Sequence, residues 1–206
     1  FSILNPELTF TVPKYQMVSG IFDIFSHLLE QYLSGEDDCT TDYLIEGVMR
    51  SLIHSARKAL VNPEDYEARS NIMWAATMGL NKILAVSKQE DWEVHQIEHQ
   101  LGAYTDCAHG VGLAIVSIPY YKHIYPYGLH RFVRFAKHIW QVNPEGKSCD
   151  SISRMAEWLK AKPGLTLYLY DYQTEKLFFP FSLQKQLNVY VTFPVIKFRK
   201  VYRLDI

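Results

Sequence analysis

Histidine and aspartate side chains recur at helical spacing in two separate stretches of this 206-residue chain. Asp23 and His27 are four residues apart, as are His95 and His99, so each pair lies on one face of a helix. His109 follows at the start of another apolar stretch. Imidazole and carboxylate groups bind divalent transition metals, and a carboxylate among apolar neighbours, as at Asp23, is costly unless paired or bound to a cation. The pattern therefore predicts a divalent metal site.

The stretch from His95 to His99 also satisfies the inverted zinc-peptidase signature, H-x-x-E-H. In that interpretation both histidines bind zinc and Glu98 is the general base. A further carboxylate ligand is then needed downstream, and Glu175 is a candidate. A zinc metallopeptidase using His95, Glu98 and His99 therefore remains an alternative, and a non-catalytic helical binding module is a third possibility.

Seven segments have apolar residues at helical spacing and are joined by short connections. In the third segment, Asn62 is expected to cap the helix and Pro63 to occupy its first position, and small residues predict deep burial. In the fifth segment, Pro119 is expected to kink or end the helix. The pattern predicts an all-α helical bundle, with helices over about 14–33, 42–60, 63–84, 92–104, 109–119, 128–141 and 150–161.

The composition changes after Pro163-Gly164. Residues 164–206 contain ten aromatic residues and neither histidine nor alanine, and they include alternating and β-branched stretches. Such a sequence is typical of strands or of a poorly ordered tail. We therefore expect a helical domain over residues 1–162 and a divergent C-terminal tail over residues 163–206.

The net charge and the cysteine content indicate which binding partners and which cellular compartment to expect. With 21 basic and 22 acidic residues the net charge is −1, which argues against nucleic acid or a membrane surface as a partner. No apolar run reaches the roughly 18 residues that span a bilayer. Three dispersed cysteines favour a reduced, cytoplasmic compartment. The first residue is Phe1 rather than Met and no signal peptide is recognisable, so we expect a piece of a longer protein.

The motifs Asp23-x-x-x-His27, His95-x-x-x-His99 and His109-Gly110, taken together, resemble those of the iron-containing (group III) alcohol dehydrogenases. The stretches 91–99 and 109–116 are most similar to the butanol dehydrogenase branch, and residues 5–13 resemble the first segment of that family's helical domain. The resemblance covers roughly residues 1–162.

The resemblance implies that Asp23, His27, His95 and His109 bind Fe²⁺ or Zn²⁺. It also implies that His99 is a catalytic and cofactor-contacting residue, which lines the cleft near the nicotinamide and the substrate. One carboxylate and three imidazoles would leave a coordination position open for an alcohol or aldehyde oxygen. The implied cofactor is NAD(H) or NADP(H), the substrate a small alcohol or aldehyde, and the full-length family member a homo-oligomer.

In that family a nucleotide-binding domain with a glycine-rich turn precedes the helical domain. Gly110-x-Gly112 is the closest glycine pair in this sequence, but it opens an apolar helix and follows no strand, so it predicts packing rather than phosphate binding. We therefore expect the N-terminal nucleotide-binding domain to be absent from this chain. The chain is then expected to bind metal without turning over alcohol.

Overall fold

Six α-helices make up most of the part of the chain that the structure describes. The structure is a computed structural model that describes residues 1–35 and 39–141, together with the backbone of residues 169–171 and 176–178. The prediction of an all-α fold is confirmed over the first two ranges. The helices are α1 (Lys14–Leu33), α2 (Cys39–Val61), α3 (Tyr66–Leu80), α4 (Glu93–Thr105), α5 (His109–Ile124) and α6 (Leu129–Ile139).

Helix α1 occupies the centre of the bundle and packs against α2, α3 and α5. Its apolar residues recur every three or four positions, so they form a stripe that points into the core. Complete burial of one such side chain contributes about 1.5–3 kcal/mol, and together they hold α1 in a fixed rotation. The buried apolar residues of α1 are Met17, Val18, Ile21, Phe22, Phe25, Leu28, Leu29 and Tyr32.

Helix α3 begins later than the sequence suggests. Asn62 accepts a hydrogen bond from Glu64 N in a turn, and the helix starts at Tyr66, where Asp65 caps it by accepting from Ala68 N at 2.8 Å. The prediction that Pro63 is the first helical residue was wrong, because Asp65 offers a competing cap closer to the apolar face. The prediction that α3 is deeply buried was also wrong, since Trp74 is 54% exposed.

Helix α5 is buried on almost every side from Gly110 to Ile118. It continues through Pro119 to Ile124, so Pro119 does not end it. Tyr121, beyond the proline, is only 2% exposed, and packing on both sides of Pro119 keeps the helix continuous despite the lost backbone hydrogen bond.

Helices α4 and α5 pack against each other as a hairpin with a very short link. Asp106 ends α4 in a left-handed conformation (φ 52°), and its N–H donates to Gly102 O. His109 opens α5 after two further residues. The tight link thus places the start of α5 beside the side chains of α4.

A buried charge cluster joins α2, α6 and the loop before α4. Asp42 accepts hydrogen bonds from Lys88 Nζ at 2.6 Å and from Arg131 Nη1 at 2.6 Å. Arg134 Nη1 lies 3.7 Å from the same carboxylate. The side chains of Asp42 and Lys88 are fully buried, so the cluster ties the loop that leads into α4 to the bundle.

Two short strands lie in the C-terminal part of the chain. Leu169–Asp171 pairs antiparallel with Lys176–Phe178. The predicted helix over 150–161 and the other residues beyond 141 lie outside the described part. Within the described residues, none of the helices combines the length and the apolar character needed to span a bilayer.

Candidate metal centre

Three imidazole nitrogens surround one carboxylate oxygen at the junction of α1, α4 and α5. Asp23 Oδ1 lies 3.3 Å from His27 Nε2, 3.7 Å from His95 Nε2 and 3.7 Å from His109 Nε2. The rings of His27 and His95 are 4.4 Å apart between centroids. Of the four residues that the family resemblance implies as ligands, Asp23, His95 and His109 have ligand atoms within 4.8 Å of one another, and His27 joins them through its contact with Asp23.

The close approach of α1 and α5 produces this convergence. A Cβ atom built on Gly110 would lie 2.0 Å from the carbonyl oxygen of Ser19, so the two backbones are in direct contact there. Ser19 is one turn before Asp23, and Gly110 follows His109. The glycine therefore allows α5 to place His109 beside Asp23. Packing is the role that the sequence predicts for Gly110-x-Gly112, and the contacts of both glycines agree with it.

The unpaired polar atoms at this junction fit a divalent cation. Asp23 Oδ1, His95 Nε2 and His27 Nδ1 are buried without a hydrogen-bond partner among the described residues. Buried polar atoms are normally satisfied, so a cluster of unpaired ones needs an explanation. Ligand atoms in a tetrahedral site with bonds of about 2.0–2.2 Å are roughly 3.3–3.6 Å apart, close to the separations from Asp23.

The charges at this junction favour a positive species. Burial disfavours ionisation of Asp23, but the attraction of the nearby imidazoles of His27, His95 and His109 outweighs it and holds the pKa of Asp23 well below its usual range. Burial likewise lowers the pKa of His95, but the carboxylates of Asp23 and Glu30 raise that pKa to about 9. The negative potential that retains a proton would also attract a metal cation.

His99 lies at the edge of the cluster. Its ring centroid is 6.4 Å from that of His95 and 5.4 Å from that of His109, and the residue is exposed. Asp23, His95 and His109 have ligand atoms within 4.8 Å of one another, and so do Glu98, His99 and His109. His99 is therefore adjacent to the group around Asp23 without belonging to it, and His27 also lies outside both groups but contacts Asp23 directly.

Three residues around the cluster were not predicted from the sequence in this role. Glu30 contacts His95 Nδ1, and Glu98 contacts His109 Nδ1. Trp92 lies edge-on, with its ring centroid 5.3 Å from those of His27 and His95. Helical spacing places Glu30 on the α1 face of Asp23 and His27, which could have drawn attention to it. Its partner His95, however, is 65 positions away in the sequence.

The geometry does not favour the peptidase interpretation. A zinc peptidase of that type needs Glu98 free to activate water, with His95 and His99 on one ion. Here the carboxylate of Glu98 is occupied by His109, and His95 and His99 fall in different groups of ligand atoms. Glu175 lies outside the described residues.

The fold and the cluster define an all-helical domain that gathers one carboxylate and three imidazoles where three helices meet. A family described as "Fe-containing alcohol dehydrogenase family, C-terminal" matches residues 17–176. The chain belongs to the iron-containing alcohol dehydrogenase family, and its relatives make it butanol dehydrogenase-like. The match continues past residue 162, where the sequence motifs placed the end of the resemblance.

Relatives and solved structures agree with this assignment. The chain is 41% identical over 158 residues to NADH-dependent butanol dehydrogenase A of Clostridium acetobutylicum, covering 76% of this chain and 40% of that protein. It is 31% identical over 189 residues to the NADPH-dependent aldehyde reductase YqhD of Escherichia coli, covering 90% and 49%. The crystal structure of NADH-dependent butanol dehydrogenase A from Thermotoga maritima superposes with a TM-score of 0.74 at 39% identity, covering 76% and 40%. The chain thus spans less than half the length of these relatives.

Proposed function

We propose that this chain is the metal- and substrate-binding part of an NAD(P)-linked alcohol/aldehyde oxidoreductase of the butanol dehydrogenase type. The observation that carries the proposal is the set of three Nε2 atoms within 3.3–3.7 Å of Asp23 Oδ1, an oxygen without a hydrogen-bond partner among the described residues. Family membership supplies the reaction class. The helical domain is proposed to extend over residues 1–162, followed by a tail over residues 163–206.

In this proposal Asp23, His27, His95 and His109 hold Fe²⁺ or Zn²⁺. A metal held there would supply Lewis-acid polarisation of an alcohol or aldehyde oxygen, and a bound nicotinamide would supply the hydride chemistry. The side chain of His95 is 7% exposed and that of His109 is 39% exposed. The open side of the site therefore lies toward His109, and substrate is expected to enter there.

His99 lies on this open side and is proposed to line the cleft near nicotinamide and substrate. A ring nitrogen of His99 would accept the proton that a substrate hydroxyl releases on oxidation, and would return it on aldehyde reduction. Exposure of the ring suits exchange of that proton with solvent.

The proposed substrate is a small alcohol or aldehyde, because the relatives are named for butanol and for aldehydes. Relatives named for NADH and for NADPH both match, so either nicotinamide fits the proposal. We also propose a cytoplasmic enzyme that self-associates and has neither nucleic acid nor membrane as a partner.

Metal content tests the site directly. The purified chain is dialysed with Zn²⁺ or Fe²⁺ and then freed of unbound ion, and about one ion per chain is expected. Asp23→Asn and His109→Ala should lose that ion, whereas His54→Ala, which alters an exposed histidine on α2, should retain it. Equal metal content in all four proteins would refute the proposed ligand set.

A further inference from the structure

Two buried carboxylates lie behind two of the proposed ligands. Glu30 is 6% exposed, and its Oε1 contacts His95 Nδ1. Glu98 is 2% exposed, and its Oε2 contacts His109 Nδ1. In both cases the carboxylate meets the ring nitrogen opposite the Nε2 that faces Asp23. The two histidines thus have the same arrangement, with one carboxylate on each side of the ring.

Each of these carboxylates is fixed by its own surroundings. Glu30 Oε2 accepts a hydrogen bond from Val94 N at 3.0 Å, so the carboxylate of α1 is anchored to the first turn of α4. Glu98 fills space left by glycines, because a Cβ on Gly112 would be 2.3 Å from Glu98 Oε1, and one on Gly102 would be 3.3 Å from it. Neither carboxylate can move far without disturbing a helix.

The contact between carboxylate and imidazole determines which ring nitrogen can bind a metal ion. An ionised carboxylate only accepts hydrogen bonds, so the Nδ1–H group of each histidine must donate. The neutral ring then carries its lone pair on Nε2, the atom that faces Asp23. Burying two carboxylates is costly in free energy unless they are paired, and these contacts provide the pairing.

We propose that Glu30 and Glu98 are positioning residues for the metal site, setting the tautomer and the ring orientation of His95 and His109. This inference rests on the proposed metal site. The two carboxylates do not touch the ion. They act through the imidazoles. Their negative charge makes each Nε2 more basic, so that it binds a cation more strongly.

The test is a Co²⁺ titration followed by visible d–d absorption, which reports the number and geometry of the ligands. Glu30→Gln and Glu98→Gln keep an acceptor but remove the charge, and each is expected to weaken Co²⁺ binding by about 10–100-fold and to alter the spectrum. Glu46→Gln is the matched control. Glu46 is also a buried glutamate in contact with a histidine, His138 Nδ1 at 2.8 Å, but it lies on α2, where it also accepts a hydrogen bond from Arg134 Nε at 2.7 Å.

The control separates loss of stability from loss of positioning. Glu46→Gln should lower the unfolding temperature while the Co²⁺ affinity and the spectrum stay those of the wild type. Glu30 and Glu98 variants that behave in the same way, less stable but unchanged in affinity and spectrum, would overturn the proposal. A wild-type chain that binds no Co²⁺ would refute the proposed metal site instead.

A second measurement needs no variant. Nitrogen-15 NMR of the histidine rings in the wild-type chain loaded with Zn²⁺ should show His95 and His109 protonated at Nδ1 and coordinated through Nε2. Coordination through Nδ1 at either residue would contradict the positioning role even if the glutamate variants failed to fold.

Discussion

Gly110 and Ser19 are in backbone contact, with no room for a Cβ atom between them. This contact sets the distance between α1 and α5, and with it the 3.7 Å separation of Asp23 Oδ1 and His109 Nε2. The site therefore depends on a residue that supplies no chemical group.

Gly110→Ala should push α5 away from α1, because the obstacle at 2.0 Å is a backbone carbonyl that cannot rotate aside. We expect a loss of stability of about 1–3 kcal/mol from overpacking and a weaker affinity for Zn²⁺. Gly47→Ala is the control, since nothing lies within 4 Å of the added Cβ and alanine favours the helix by up to about 1 kcal/mol. Denaturant unfolding and Zn²⁺ titration of both variants measure the effects. Unchanged Zn²⁺ affinity in Gly110→Ala would mean that the contact does not set the site.

Acid should destabilise the bundle through Asp42. Burial alone would raise the pKa of Asp42, but the hydrogen bonds and charges of Arg131 and Lys88 lower it to about 2 from the ordinary 3.8. Since the folded-state pKa is the lower one, the stabilisation is complete above about pH 5 and is lost as the pH falls through about 2, a change of about 2 kcal/mol. The free energy of unfolding, measured in denaturant across this pH range, should decrease accordingly.

Asp42→Asn should remove that pH dependence and lower stability at neutral pH by about 3–5 kcal/mol, because Lys88 and Arg131 stay buried without their carboxylate. Asp106→Asn, at an exposed position whose left-handed backbone asparagine tolerates, should leave both quantities near the wild type. If the free energy of unfolding of Asp42→Asn fell with acid as much as that of the wild type, other carboxyl groups would be responsible for the acid sensitivity.

Tryptophan fluorescence should report occupancy of the site. Trp92 lies 5.3 Å from the rings of His27 and His95, so paramagnetic Co²⁺ bound there should quench its emission. Trp92→Phe should abolish most of the Co²⁺-dependent quenching, whereas Trp74→Phe, at an exposed position on α3, should retain it. Equal quenching in the two variants would place the Co²⁺ elsewhere.

The 206-residue chain by itself should bind Zn²⁺ or Fe²⁺ but not reduce butanal with NADH or NADPH. Holding a nicotinamide in reacting position is worth about 7–11 kcal/mol, and the chain spans only 40% of its butanol dehydrogenase A relative. Absorbance of the reduced nicotinamide follows the reaction, with that full-length relative as the positive control. Robust turnover by the chain alone would show that it binds the cofactor in an unrecognised way.

Much of the fold could be predicted because α1 has a strong apolar periodicity, α5 is apolar on almost every side, and their starts coincide with Pro13 and His109. The start of α3 was missed because Asn62-Pro63 and Asp65 are both good starting signals, and only packing chooses between them. Likewise, Trp92 looks like the first helical residue but precedes α4 in a left-handed conformation, with φ 55°.

The candidate ligands followed from spacing, but their division into roles did not. His95 and His99 are equivalent in a helical pattern, and only the tertiary contacts of α4 decide that His95 faces Asp23 while His99 remains exposed. Glu30 could not be connected to His95 from spacing, since that contact depends on how two helices distant in sequence meet. The spacing predicts a divalent metal site, but the choice of Fe²⁺ or Zn²⁺, the cofactor and the substrate come from the family resemblance.

Asp23, His27 and Glu30 all lie on one stripe of α1 within eight positions. Each residue turns an α-helix by about 100°, so one residue inserted between Asp23 and Glu30 would swing one end of the stripe away from α4 and α5. Insertions and deletions are therefore incompatible with this stretch, whereas the exposed turn at residues 62–64 can absorb them. The site therefore depends on the spacing of these residues along the helix as much as on the identity of their side chains.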